Sequence, residues 1–225
     1  MLFFELKGWK VMEENIKKLF KRLNNQKLRT IISGVGFYLI YGCIQVIGKD
    51  HPLLATICFI GTSGGIIYKL QLFKDIRSLV NKESIIIILG CFALGRLIYH
   101  AGSYIASLEN GVLNNQAIIE NTDTPAILFI VSSVIGAPIV EEMFYRYCIQ
   151  SNIFDNSFLG VIISSFVFGL AHTPQNFGSW VTYGGMGIVL GLTYYKTHNL
   201  THSVMIHLLN NAWVAELMLL GFSFV

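Results

Sequence analysis

Three small groups of residues in this chain could do chemistry, and all of them lie in or at the ends of apolar runs. Glu141, Glu142 and Arg146 follow Gly136, Pro138 and Val140 along one such run. An ionised group left unpaired in hydrocarbon costs on the order of several kcal/mol, so these charges need partners or a purpose. On a helix Glu142 and Arg146 stand four residues apart on one face and can neutralise each other, while Glu141 is turned about 100° away. Glu141 is therefore the spare carboxylate. Pro138 lacks a backbone donor, so it should free the carbonyl of Val134 and kink the helix just before the glutamates, making room for water. His172 comes one helical turn after Phe168, with Pro174 stopping the helix behind it, and His207 and Asn211 share a face at a spacing of four. Histidine and an amide together can polarise a carbonyl, bind a metal or stabilise an oxyanion. The same residues also hold transmembrane helices together, so the weight lies on the set rather than on any member.

The elements that must position these residues are membrane helices. The 225 residues are 53% hydrophobic and 13% charged, with a mean hydropathy of +0.58, far from the quarter charged of soluble domains. The composition predicts an all-α polytopic transmembrane bundle of about seven spans, at 31–48, 53–73, 84–105, 125–151, 157–173, 179–197 and 203–225. Turn signals at 49–52, 121–125, 155–156 and 197–199 separate several of them. Residues 1–30 carry eight of the sixteen Lys and Arg and no cleavage site, so they read as a basic amphipathic segment on an anionic inner leaflet, or else a frayed basic tail, and not as a secretory signal. Residues 31–105 form three N-terminal spans, and residues 125–225 form a four-helix unit that holds all the chemistry.

Loop charge orients the bundle. Lys69, Lys74, Arg77 and Lys82 cluster between the second and third spans, whereas 107–124 has Glu109, Glu120 and Asp123 without a Lys or Arg. By the positive-inside rule the N-terminus is cytoplasmic and Val225 is outside. The net charge of +3 calls for no nucleic-acid partner. Cys43, Cys58, Cys91 and Cys148 lie in apolar segments without metal spacing and read as buried small hydrophobes. Arg96 and Glu216 are isolated charges in the third and seventh spans, and an ion pair between them is expected; His100 reads as an interfacial residue. Counted at helical rise from the turn at 155–156, Glu141 and His172 lie level at about 22 to 25 Å, but His207 lies only about 13 Å from its own turn. The missing ~10 Å must come from tilt, the kink at Pro138 or a raised connection.

Glu141-Glu142 with Arg146, Phe168 with His172, and His207 with Asn211 resemble the EExxxR, FxxxH and HxxxN/B motifs of the CPBP family, in family order and over about 125–225. That family groups type II CAAX prenyl endopeptidases with bacterial Abi proteins, including bacteriocin self-immunity proteins. The resemblance implies that Glu141 activates water for attack on a peptide carbonyl, that His172 helps hold the water, and that His207 and Asn211 bind the developing oxyanion or a metal. Glu142 and Arg146 would be structural partners, and Phe168 packing that orients His172. Tyr145 and Asn210 beside the motif residues depart slightly from the pattern and bear on substrate rather than role.

The expected function is an intramembrane endopeptidase of a bacterial cell membrane acting on a membrane-associated peptide or protein. A non-catalytic immunity or scaffold protein is the alternative, and a small transporter using Arg96, Glu141 and Glu216 is a third reading that lacks an inverted repeat. If a divalent metal such as zinc takes part, its ligands would be Glu141, His172 and His207 with water in the open position. There is no HExxH pair, and a metal-free site would use each residue once, so both readings stand.

Overall fold

The computed structural model describes residues 25–48, 50–74, 79–109, 111–113 and 130–219. The amphipathic reading of 1–24, the acidic loop beyond Leu113 and the end of the last span after 219 lie outside them. The described residues form seven helices without a strand: α1 (Asn25–Ile47), α2 (Pro52–Leu70), α3 (Lys82–Leu108), α4 (Ile130–Gly136, Ala137–Glu142 and Met143–Ile153 in succession), α5 (Phe158–Ala171), α6 (Phe177–Thr197) and α7 (Leu200–Leu219). Each expected span has its helix. The first already includes Asn25, six residues before its expected start and inside the stretch assigned to the basic segment.

Local sequence sets the ends. Asn81, Ser157 and Asn176 stand in extended conformation before α3, α5 and α6, and each side chain accepts from the backbone N–H three residues on. Capping of this kind satisfies donors that a helix N-terminus otherwise leaves orphaned. Pro52 opens α2, where its missing N–H costs nothing.

The outer surface is that of a membrane protein. Leu39, Leu53, Ile60, Leu97, Ile162 and Phe166 are among many large apolar side chains that face outward, an arrangement that water penalises and lipid does not. Among the described residues α2 and α3 are long and apolar enough to cross a bilayer by themselves. α5, with 14 residues, spans about 21 Å at helical rise and falls short of a ~30 Å core. Inside, α6 packs closely on α3 and α5. At the α3–α6 crossing a Cβ on Gly178 would lie 2.3 Å from the carbonyl oxygen of Gly102, so only glycine allows the two backbones to approach that far.

α4 is not the simple kinked helix expected from Pro138. Its first and last parts, Ile130–Gly136 and Met143–Ile153, are π-helical, and only Ala137–Glu142 has α register. Pro138, which has no N–H to give, stands at the start of the α segment directly after the first π stretch. Asn211 of α7 bonds to this part of the helix, its amide nitrogen donating to Ser133 O at 2.8 Å.

Candidate functional site

Glu141 and Glu142 are the last two residues of the short α segment, where α4 changes register. Glu142 and Arg146 are fully buried and joined as their spacing requires, Arg146 Nε donating to Glu142 Oε2 at 3.1 Å. Arg146 Nη1 donates to Ser164 Oγ of α5 at 3.0 Å, and the guanidinium lies 5.3 Å above the Phe168 ring. Gln150, also fully buried, accepts from Ser164 and donates to Gly191 O at 2.9 Å. The chain of polar contacts thus runs from α4 through α5 to α6, while Arg146 Nη2 is buried without a hydrogen-bond partner among the described residues.

Glu142 has a second bond that its place in the sequence does not show. Its Oε1 accepts from His207 Nδ1 of α7 at 3.0 Å. A carboxylate already held by arginine accepts only, so Nδ1 must carry the proton, and the other ring nitrogen is turned away from Glu142. That nitrogen, Nε2, lies 3.9 Å from Glu141 Oε2. This is too far for a direct hydrogen bond. Glu141 Oε2 is buried and has no hydrogen-bond partner among the described residues, although its side chain as a whole keeps 13% exposure. Glu141 is therefore the reachable carboxylate, and Glu142 the sealed one that fixes the histidine.

His172 caps the C-terminal end of α5. Its Nδ1 lies 2.8 Å from the carbonyl oxygen of Phe168, which can only accept, so the ring proton sits on Nδ1. The imidazole is sandwiched between Phe168, at 4.6 Å between centroids, and Tyr183 of α6, at 4.5 Å and nearly parallel. The Phe168 ring meets His207 edge-on at 5.7 Å. One buried phenylalanine thus touches both imidazoles and the arginine. Asn211 lies one turn beyond His207 and is tied to the helix that carries Glu141 by its bond to Ser133.

The shortfall of ~10 Å estimated for His207 does not appear, since His207 bonds Glu142 and lies 3.9 Å from Glu141. The arithmetic took every residue between Glu141 and the turn at 155–156 at α-helical rise. Eleven of them are π-helical, and a helix with more residues per turn rises less with each, which supplies a part of the difference. The expected Arg96–Glu216 pair is also absent. Arg96 Nε and Nη2 both donate to Asn210 Oδ1, at 3.0 and 2.7 Å, and the guanidinium lies 5.0 Å over the Tyr99 ring. Asn210 comes six residues before Glu216, about 9 Å nearer the start of α7, and Glu216 is exposed. Among the described residues no three His, Cys, Asp or Glu side chains gather closely enough to hold a metal.

Sequence reading missed two hydroxyls. Tyr145, 1% exposed, has its hydroxyl 2.6 Å from that of Tyr38 on α1. Tyr145 lies inside the Glu-Glu-xxx-Arg stretch, but nothing in the sequence ties it to Tyr38.

Residues 123–213 match the family model described as Type II CAAX prenyl endopeptidase Rce1-like, and the resemblance read from the three motifs is borne out over that segment. The UPF0177 protein YaiH of Lactococcus lactis subsp. lactis is 29% identical over 178 residues, 75% of this chain and 75% of that protein. The putative membrane peptidase YdiL of Bacillus subtilis is 29% identical over 118 residues, 52% of this chain and 47% of its own length. The membrane-embedded CAAX protease MroQ of Staphylococcus aureus is 36% identical over 105 residues, 43% of this chain and 41% of its own length. The chain thus spans less than half of the two relatives whose names give an activity. No solved structure matches it.

Proposed function

We propose that the protein, Rce1-like through its last four helices, is a membrane-embedded endopeptidase that hydrolyses a peptide bond of a membrane-associated peptide or protein. One observation carries this reading: a reachable carboxylate, Glu141, whose inner oxygen lies 3.9 Å from the Nε2 of a histidine that a second, buried glutamate orients through the other ring nitrogen.

The chemistry follows from that asymmetry. Glu141 takes a proton from a water molecule, and the water oxygen bonds to the carbonyl carbon of the scissile peptide as the carbonyl π electrons move onto oxygen. Once His207 has taken a second proton from solvent onto Nε2, that N–H and the second N–H of the Asn211 amide donate to the oxyanion; each such donor is worth about 2.7 to 4 kcal/mol in other enzymes. Glu142 supplies the counter-charge when the His207 ring carries two protons, as buried carboxylates behind catalytic histidines do. His172, with Nδ1 held by the Phe168 carbonyl, presents Nε2 as an acceptor that helps hold the water. As the tetrahedral intermediate collapses, Glu141 returns the proton to the leaving nitrogen, giving a carboxylate and an amine. No step is routed through a metal.

The protein would lie in the membrane with several spans, its N-terminus and the α2–α3 loop in the cytoplasm. A cysteine placed at Lys74 then labels from the cytoplasmic face and one at Glu109 from the other; the reverse pattern would overturn the orientation. For the activity, purified protein is offered a panel of membrane-tethered peptides before and after exhaustive chelation, beside Glu141→Gln. Cleavage that survives chelation and is lost in Glu141→Gln supports the reading. Cleavage that vanishes with the metal and returns on adding zinc replaces the metal-free route. Binding without cleavage in the wild type points to a non-catalytic immunity or scaffold protein, and full activity in Glu141→Gln removes Glu141 from the chemistry.

A further inference from the structure

The hydroxyl pair of Tyr38 and Tyr145 takes no part in the steps above, yet it is built into the same cluster of side chains. α1 can reach the site because Gly34, one turn before Tyr38, lets the helix settle onto α4: a Cβ there would fall 2.2 Å from Cys148 Sγ. The Tyr38 ring stacks on Phe144 at 4.4 Å and meets Tyr145 edge-on at 5.7 Å. Tyr145 in turn meets Phe168 edge-on at 5.2 Å, and Phe168 is the ring that touches His172 and His207. The two hydroxyls are 2.6 Å apart. Two hydroxyls that share one hydrogen bond use one proton between them, and the other proton remains to be donated elsewhere.

The acceptor that suits it is Glu141. Tyr145 follows Glu141 by four residues, the spacing at which Glu142 meets Arg146 on the same helix, and the inner oxygen of Glu141 lacks a donor among the described residues. We propose that Tyr38 is a positioning residue for the hydrolysis: through its hydroxyl bond to Tyr145 it supplies a donor to the Glu141 carboxylate, or to the water Glu141 activates, and so fixes the base against the scissile carbonyl. This rests on Glu141 acting as the base. It also assigns α1, which lies outside the 123–213 segment, a part in completing a site otherwise made by α4, α5 and α7. The dispersed origin of these groups favours such a role, because a base on a helix end where the register changes has little else to hold its carboxylate in one rotamer.

The test uses the full chain and removes hydroxyls while keeping rings, in Tyr38→Phe, Tyr145→Phe and the double variant. Cleavage of a membrane-tethered peptide is followed for kcat and KM, with thermal unfolding measured alongside and Glu141→Gln as the control. Loss of one well-placed hydrogen bond in the transition state predicts about a tenfold fall in kcat for each single variant with KM within about twofold. The double variant should fall no more than about twofold further, because the two hydroxyls act as one unit. A Tyr38→Phe enzyme with wild-type kcat overturns the proposal while leaving Glu141 as base. Losses that add in the double variant, or that follow a lowered melting temperature or a raised KM, overturn it too, since a packing role would behave that way. A wild type without Glu141-dependent cleavage removes the proposed function and this inference with it.

Discussion

Replacing Glu142 with glutamine keeps the shape of the side chain and removes what two partners share. In the native protein its two oxygens accept separately, Oε2 from Arg146 at 3.1 Å and Oε1 from His207 at 3.0 Å, with no solvent at Glu142 or Arg146. Glutamine has one acceptor oxygen, and its NH2 must face the other donor. Removing one member of a buried ion pair costs about 3 to 5 kcal/mol. Here the lower end is expected, because Arg146 keeps Ser164 Oγ at 3.0 Å and the Phe168 face. For a chain of this size that is a fall in melting temperature of roughly 6 to 12 °C, at about 2 to 4 °C per kcal/mol. Activity should fall further, on the order of 10- to 100-fold in kcat, because His207 loses the group that fixes its tautomer and ring plane. The apolar double variant Glu142→Leu, Arg146→Met separates the two effects. It should regain much of the stability, since no uncompensated charge stays buried, but not the activity. Thermal unfolding in detergent micelles, read from Trp180 and Trp213 fluorescence, and cleavage at saturating peptide measure both. A Glu142→Gln protein that melts with the wild type would falsify the pairing energetics, and an active double variant would show that His207 needs no carboxylate behind it.

Two further expectations concern packing. Asn210→Leu strips the acceptor shared by Arg96 Nε and Nη2 and should lower stability by about 1 to 3 kcal/mol, whereas Glu216→Gln, on an exposed side chain, should change it by less than about 0.5 kcal/mol; equal effects would refute the assignment of partners to Arg96. Gly34→Ala drives a methyl into Cys148 Sγ, 2.2 Å away, and should cost about 1 to 3 kcal/mol by overpacking. Adding Cys148→Ala removes the atom that obstructs it, so the pair of changes should recover most of the loss in an unfolding titration; a pair as unstable as Gly34→Ala alone would place the strain elsewhere.

The residues that sequence could identify are those whose meaning depends on one helix. Spacing of four fixes a shared face, so the Glu142–Arg146 contact and the grouping of Phe168 with His172 follow from the chain alone. Composition likewise determines an all-α membrane bundle, because a chain so apolar must satisfy its backbone polar groups within its own helices. The motif order of glutamates, histidines and asparagine was enough to single out the segment that matches the Rce1-like model.

What the tertiary structure decided is how one helix meets another. The bond from His207 to Glu142, the preference of Arg96 for Asn210 over Glu216 and the pairing of Tyr38 with Tyr145 each join residues 65 or more positions apart, and periodicity carries no information about rotation or depth between separate helices. The π register of α4 is the clearest case. Pro138 marked the place where the helix would be disturbed, but whether it kinks or changes register depends on the neighbouring helices, here with Asn211 bonded to the Ser133 carbonyl. Since the register also sets how far each residue advances along the helix, the depth at which Glu141 meets His207 could be settled only once the helices had packed.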